Sequence, residues 1–140
     1  MYPLTVFLVE GSEIIRLRLT EALTLLQGTI LTGWSDEEKN AIASIEKHKP
    51  CVVVCSLQLY GGNGINVLKA IRKTKLDTTF IMLTDFPYAQ YRESCKNHGA
   101  DYFFDKSTEF MKVPEVIKRI QLQDAGKDIS PPQTIQGYPT

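Results

Sequence analysis

Short apolar runs alternate along the chain with longer stretches in which apolar residues return every three or four positions. Leu4 to Val9 (LTVFLV) is a run of strand formers. Ser12 then caps a helix through about Gln27, with Ile15, Leu19, Ala22, Leu23 and Leu26 on its apolar face and Gly28 at its stop. Thr29 to Trp34 reads as a second strand. Ser35 or Asp36 caps a second helix through about Lys49, with Ala41, Ile42 and Ile45 facing inward, and Pro50 ends it. Cys51 to Ser56 forms a third strand, and Tyr60 to Gly64 a glycine-rich turn. Ile65 to about Lys73 makes a third helix that buries Val67, Leu68 and Ile71. Thr79 to Thr84 is a fourth strand. Pro87 to His98 reads as a fourth helix with Pro87 in its first turn, and Gly99 follows. Asp101 to Phe104 is a short fifth strand, and Pro114 to about Gln123 the last helix.

Strands separated by helices of this length read as βαβ units around a parallel sheet. Their near-continuous apolar character fits a sheet covered on both faces. The expected division is one domain over residues 1–123. Asp124 to Thr140, with three prolines and little periodicity (DAGKDISPPQTIQGYPT), reads as a mobile tail.

Composition narrows the function classes. The chain has 140 residues, 43% hydrophobic and 23% charged, which suits a single globular domain. Lys+Arg and Asp+Glu number 16 each, so there is no basic footprint for nucleic acid or an anionic membrane. No apolar stretch approaches the roughly 18 residues of a membrane span. The N-terminal segment reads as a strand and not as a signal peptide. Cys51, Cys55 and Cys95 are odd in number and irregular in spacing, which argues against a disulfide framework and fits a reducing cytoplasm. No Cys/His cluster has zinc spacing.

The candidate chemistry lies where the strands end. Glu10 follows strand one, Ser56 ends strand three, Thr84 ends strand four with Asp85 next, and Lys106 follows strand five. In a parallel sheet these positions share one edge, where open α/β sheets bind ligands. His48 and His98 precede strands three and five and fall on the opposite edge, so Ser56 has no nearby base to make it a hydrolase nucleophile.

These residues carry a family resemblance over about residues 4 to 122. The chain resembles the receiver domain of bacterial two-component response regulators, the CheY-like family. The stretch Gly99-Ala100-Asp101-Tyr102-Phe103-Phe104-Asp105-Lys106-Ser107 is a strong local match, and Gly61-Gly62-Asn63-Gly64 looks like the usual turn into helix three. The resemblance implies a flavodoxin-like, doubly wound five-stranded parallel sheet of order 2-1-3-4-5 with helices on both faces. It places the phosphoryl-contacting hydroxyl at Thr84, the phosphate-contacting lysine at Lys106 and the switch aromatic at Phe103. Two departures stand out. The acidic pair that would hold magnesium is Glu10-Gly11, and the phosphoacceptor aspartate is Ser56. The proline common four residues later is Tyr60.

The expected function is therefore that of an atypical receiver, not an enzyme, acting by protein–protein contact without phosphorylation. No cofactor is expected, and magnesium binding should be lost or weak with Glu10 as the remaining carboxylate. Lys106 should pair with Glu10 or reach the Thr84 and Ser56 hydroxyls. The expected partner is a histidine kinase, a response regulator or another signalling protein, with no nucleic acid and no membrane. The contact face implied by the family is helix four, strand five and helix five: Tyr88, Tyr91, Arg92, Lys96, Tyr102, Phe104, Lys106 and Lys118. The same face is the expected route to a homodimer. Two alternatives remain open. One is phosphorylation of another carboxylate such as Asp85 or Asp105. The other is a flavodoxin-like small-ligand binder, for which Gly11-Ser12 offers little phosphate-cradling loop.

Overall fold

In the computed structural model, which describes residues 3–127, strands and helices alternate without interruption. They are β1 (Leu4–Val9), α1 (Glu13–Thr24), β2 (Thr29–Ser35), α2 (Glu38–His48), β3 (Val52–Ser56), α3 (Gly64–Lys73), β4 (Thr79–Thr84), α4 (Ala89–Asn97), β5 (Tyr102–Asp105) and α5 (Lys112–Lys127). All strand pairings are parallel, and the order is β2-β1-β3-β4-β5. The expected doubly wound sheet is the one observed.

Side-chain alternation divides the core between the two faces of the sheet. Leu4, Val6, Leu8, Val52, Val54, Ile81, Leu83, Tyr102 and Phe104 point to one face, where Leu19 and Leu23 of α1 and Val113, Val116 and Ile117 of α5 cover them. Phe7, Val9, Val53, Cys55, Phe80, Met82 and Phe103 point to the other, beneath α2, α3 and α4. Every residue of β3 is buried, which explains its unbroken apolar sequence.

Five local expectations change. The α2 cap is Glu37, whose carboxylate accepts from Lys39 N at 2.8 Å and Asn40 N at 3.1 Å. Ser35 is unavailable because it is the last residue of β2, and its hydroxyl is engaged with the Glu37 backbone. Pro87 lies outside α4, which starts after Tyr88. α5 starts at Lys112, so Pro114 occupies its first turn, where a missing N–H costs no bond. The same helix runs to Lys127, into the segment expected as tail; the remainder of that segment lies outside the described residues. α1 ends at Thr24, sooner than about Gln27.

One glycine is required by close approach. A Cβ at Gly64, the first residue of α3, would collide with the Ser56 carbonyl and lie 3.0 Å from Met82 Sδ. Its absence lets α3 begin directly against the end of β3. No helix among the described residues is long and apolar enough to cross a membrane.

Candidate functional site

β1 and β3 are neighbours whose following connections run to opposite faces of the sheet, so Glu10 and Ser56 meet at the crevice where the strand order reverses. Lys106, just past β5, reaches across to both. Its Nζ lies 2.8 Å from Glu10 Oε1 and donates to Glu10 Oε2 at 3.1 Å and to Ser56 Oγ at 3.0 Å. The Oε1 contact is ionic and lacks hydrogen-bond alignment. The lysine and glutamate side chains are 9% and 4% exposed, so water screens the pair little.

The remaining polar atoms are satisfied within the chain. Glu10 Oε2 also accepts from Ser12 N at 3.0 Å, and Ser12 Oγ caps α1 by accepting from Ile15 N. Arg16 donates to the Glu10 carbonyl at 2.8 Å while its guanidinium lies 3.7 Å over the Trp34 ring. Ser56 Oγ donates to the Gln58 carbonyl at 3.0 Å. Thr84 Oγ1 donates to Gln58 Oε1 at 3.1 Å and accepts from Phe86 N at 2.9 Å. Thr84 thus joins the site through Gln58, and Lys106 meets it only by a backbone bond from Lys106 N to Thr84 O. Gln58, Ser12, Arg16 and Tyr60 were not expected there.

Tyr60 covers the position where the second acidic group is missing. It is 83% exposed, and a Cβ built on Gly11 would lie 3.1 Å from its Cε2. The turn that carries it is tied to α2: Glu38 N donates to Gly61 O, and Glu38 Oε1 accepts from Asn63 N and Asn66 Nδ2.

Magnesium requires near-octahedral oxygen ligation anchored by carboxylates. Here Glu10 turns its carboxylate to the Lys106 ammonium and the Ser12 amide, Gly11 supplies no ligand, and Ser56 supplies a neutral hydroxyl. These residues do not fit the ion. Among the described residues no group of three or more His, Cys, Asp or Glu side chains is placed to hold a metal. The neighbouring thiol of Cys55 is pushed well up, above all by burial and then by the Glu10 carboxylate and Cys95, so it stays protonated. Both histidines lie on the far edge of the sheet. His48 Nδ1 lies 2.9 Å from the Ser44 carbonyl, and His98 Nδ1 lies 2.8 Å from the Ser94 carbonyl.

Of the carboxylates weighed as alternatives, Asp85 is exposed in the bend after β4, and Asp105 Oδ1 accepts from Ser107 N at 2.8 Å. Phe103 is buried, with the Arg92 guanidinium 4.6 Å over its ring and Arg92 Nη1 donating to its carbonyl.

The expected contact face needs correction. Tyr102 and Phe104 are buried against α5, because alternation along β5 sends them inward on the opposite side from α4. Lys106 is likewise buried in the site. Tyr88, Arg92, Lys96 and Lys118 are exposed and Tyr91 is half-buried. Phe86, Tyr88 and Tyr91 form a ladder with ring centroids 6.1 Å and 5.8 Å apart. Beside it, a cleft of about 300 Å³ opens between Tyr91 and the Gln58–Leu59 segment.

Comparison with known proteins agrees with this architecture. Residues 6–118 match the family model described as the response regulator receiver domain. Among solved structures, the chain is similar to the receiver domain of the NarL response regulator from Mycobacterium tuberculosis. That match has 21% identity and a TM-score of 0.77, covering 90% of this chain and 98% of that one. It is similar to the response regulator domain of Thermotoga maritima CheB at 24% identity and a TM-score of 0.74, covering 86% and 95%. It is also similar to CheY in a CheX–CheY–BeF3–Mg complex from Borrelia burgdorferi, at 20% identity and a TM-score of 0.77, covering 86% and 90%. At these identities the likeness shows the fold alone. No curated protein matches the chain significantly.

Proposed function

The chain belongs to the response regulator receiver domain family of two-component signalling, and on that premise we propose that it is an atypical receiver that signals by protein–protein contact without being phosphorylated. One observation carries this reading: the Lys106 ammonium is occupied by Glu10 and Ser56. In a receiver that lysine meets the acyl phosphate. Here its charge is neutralised by the chain's own carboxylate, and the hydroxyl beside it has no carboxylate to form an acyl phosphate. The domain is then no enzyme of its own dephosphorylation, and it holds no resident magnesium.

The same geometry weighs against a small-anion binder, because the Ser12 amide that would face a phosphate after β1 already serves Glu10. The partner is a cytoplasmic signalling protein, whether a histidine kinase, another response regulator or a signalling protein of another kind. It meets the ladder of Tyr88 and Tyr91 with Arg92, Lys96 and Lys118 alongside. Aromatic residues and arginine suit an interface core.

Trp34 is the single tryptophan, and it is linked to Glu10 through Arg16, so its fluorescence reports on the pocket. Titration with magnesium, then with magnesium and beryllofluoride, should give no saturable fluorescence change and no saturable heat. A saturable response to magnesium with the phosphoryl analogue would overturn the proposal.

A further inference from the structure

β2 is an open edge of the sheet: among the described residues it pairs with β1 alone. Its seven residues, TILTGWS, include no charge and no proline, the usual guards of an edge strand. The one irregularity is Thr32, an extra residue between Leu31, opposite Val6, and Gly33, opposite Phe7. Its hydroxyl donates to the Val6 carbonyl at 3.2 Å. Each face of this edge shows one large apolar side chain. Ile30, 47% exposed, pairs with Thr5 and by alternation lies on the α2 side. Trp34, 53% exposed, pairs with Leu8 and lies on the α1 side under the Arg16 guanidinium. Counted along β1, from Thr5 to Leu8, the two are three ladder steps apart. An uncharged edge of this length calls for a cover.

We propose that residues 133–138 of this chain supply that cover, as a sixth strand parallel to β2. Handedness selects this edge over the β5 edge. α1 and α5 cover the same face of the sheet, and β1 reaches β2 through α1 by a step toward the β2 edge. A return from α5 to a place beside β2 repeats that step and its right hand, which βαβ units keep; a return beside β5 would reverse it. The end of α5 already touches the start of β2. Gln121 donates to the Gln27 carbonyl at 3.0 Å and to Thr29 Oγ1 at 2.8 Å. From there α5 runs about 9 Å further to Lys127. Residues 128–132 can span roughly 17 Å, enough to turn back to the edge. Pro131 and Pro132 among them suit a helix stop. The segment beyond, QTIQGY, contains the strand formers Thr134, Ile135 and Tyr138. Ile135 and Tyr138 are three residues apart, so they face opposite sides of a strand. Run parallel to β2, Ile135 meets Ile30 on the α2 side and Tyr138 meets Trp34 on the α1 side. Main-chain pairing of this kind closes the edge to strands of other chains. The inference is independent of the function proposed for the Lys106 pocket.

Acrylamide quenching of the single tryptophan and residue-resolved hydrogen exchange of β2, both on the full chain, test this. Tyr138→Ala and Ile135→Pro should each raise the quenching constant of Trp34 about twofold by uncovering its ring. Ile135→Pro should also speed exchange of the β2 amides that face away from β1 about tenfold or more. Tyr138→Phe should keep both native values. The helical circular dichroism should not change, since these positions follow α5 in the chain. A native chain whose outward β2 amides exchange as unprotected groups overturns the inference. So does a Trp34 quenching constant that none of the variants moves. Shielding of Trp34 that is lost on dilution to about 1 µM would assign the edge to a second copy and overturn it equally.

Discussion

Lys106 has less than a tenth of its side chain exposed, so its charge is tolerable only because Glu10 and Ser56 meet it. Replacing Lys106 by Met strands the Glu10 carboxylate in the protein and should lower the unfolding free energy by about 3–5 kcal/mol in urea titrations. Adding Glu10→Gln should recover most of that loss. A cost below about 1 kcal/mol for Lys106→Met would mean that the pair is not the buried anchor described here. The cysteines give a second check at this scale. Burial pushes the Cys95 thiol from 9.0 up to about 11, and Cys55 is also raised by burial, whereas Cys51 is exposed. A thiol reagent at pH 8 should therefore modify Cys51 alone, and all three cysteines after denaturation. Because the folded Cys95 value lies above the ordinary one, that protonated thiol's contribution to stability is complete below pH 9 and is lost as pH rises through about 11. Glu10, Ser56, Thr84 and Lys106 were legible because polar residues closing apolar runs stand out. Gln58 was not, because its role depends on two strand ends meeting its carbonyl and its amide at once. The contact of Tyr60 with Gly11 joins two loops, and nothing in either loop's sequence announces it.

Every strand was visible as a short apolar run and every helix as a helical period, and the differences concern ends. Ser35 and Asp36 both have good capping chemistry, yet register consumes Ser35 in the sheet and passes the cap to Glu37. Glu37→Ala should cost about 1 kcal/mol in thermal or urea unfolding, and Asp36→Ala no more than about 0.5 kcal/mol. Equal losses would assign the cap wrongly. β5 misled in another way. Three aromatics in a row, Tyr102-Phe103-Phe104, hide the alternation that polar partners would reveal. The strand lies at the edge of the sheet yet is covered on both faces, so all three turn inward and the contact face shrinks to α4 and the outer side of α5.

At the scale of the whole molecule, the βαβ rhythm is enough to give a parallel sheet, while the order β2-β1-β3-β4-β5 came with the family resemblance. The sheet edge where receivers hold a phosphoryl group is filled here by Glu10, Ser56 and Lys106, and on the function proposed above it accepts none. Intact-mass spectrometry after incubation with acetyl phosphate and magnesium tests it most directly, with Ser56→Asp alongside. The native chain should gain no phosphoryl mass, and Ser56→Asp alone should gain little, because Gly11 still leaves the metal without its second carboxylate. A stoichiometric phosphoryl adduct on the native chain would contradict the account.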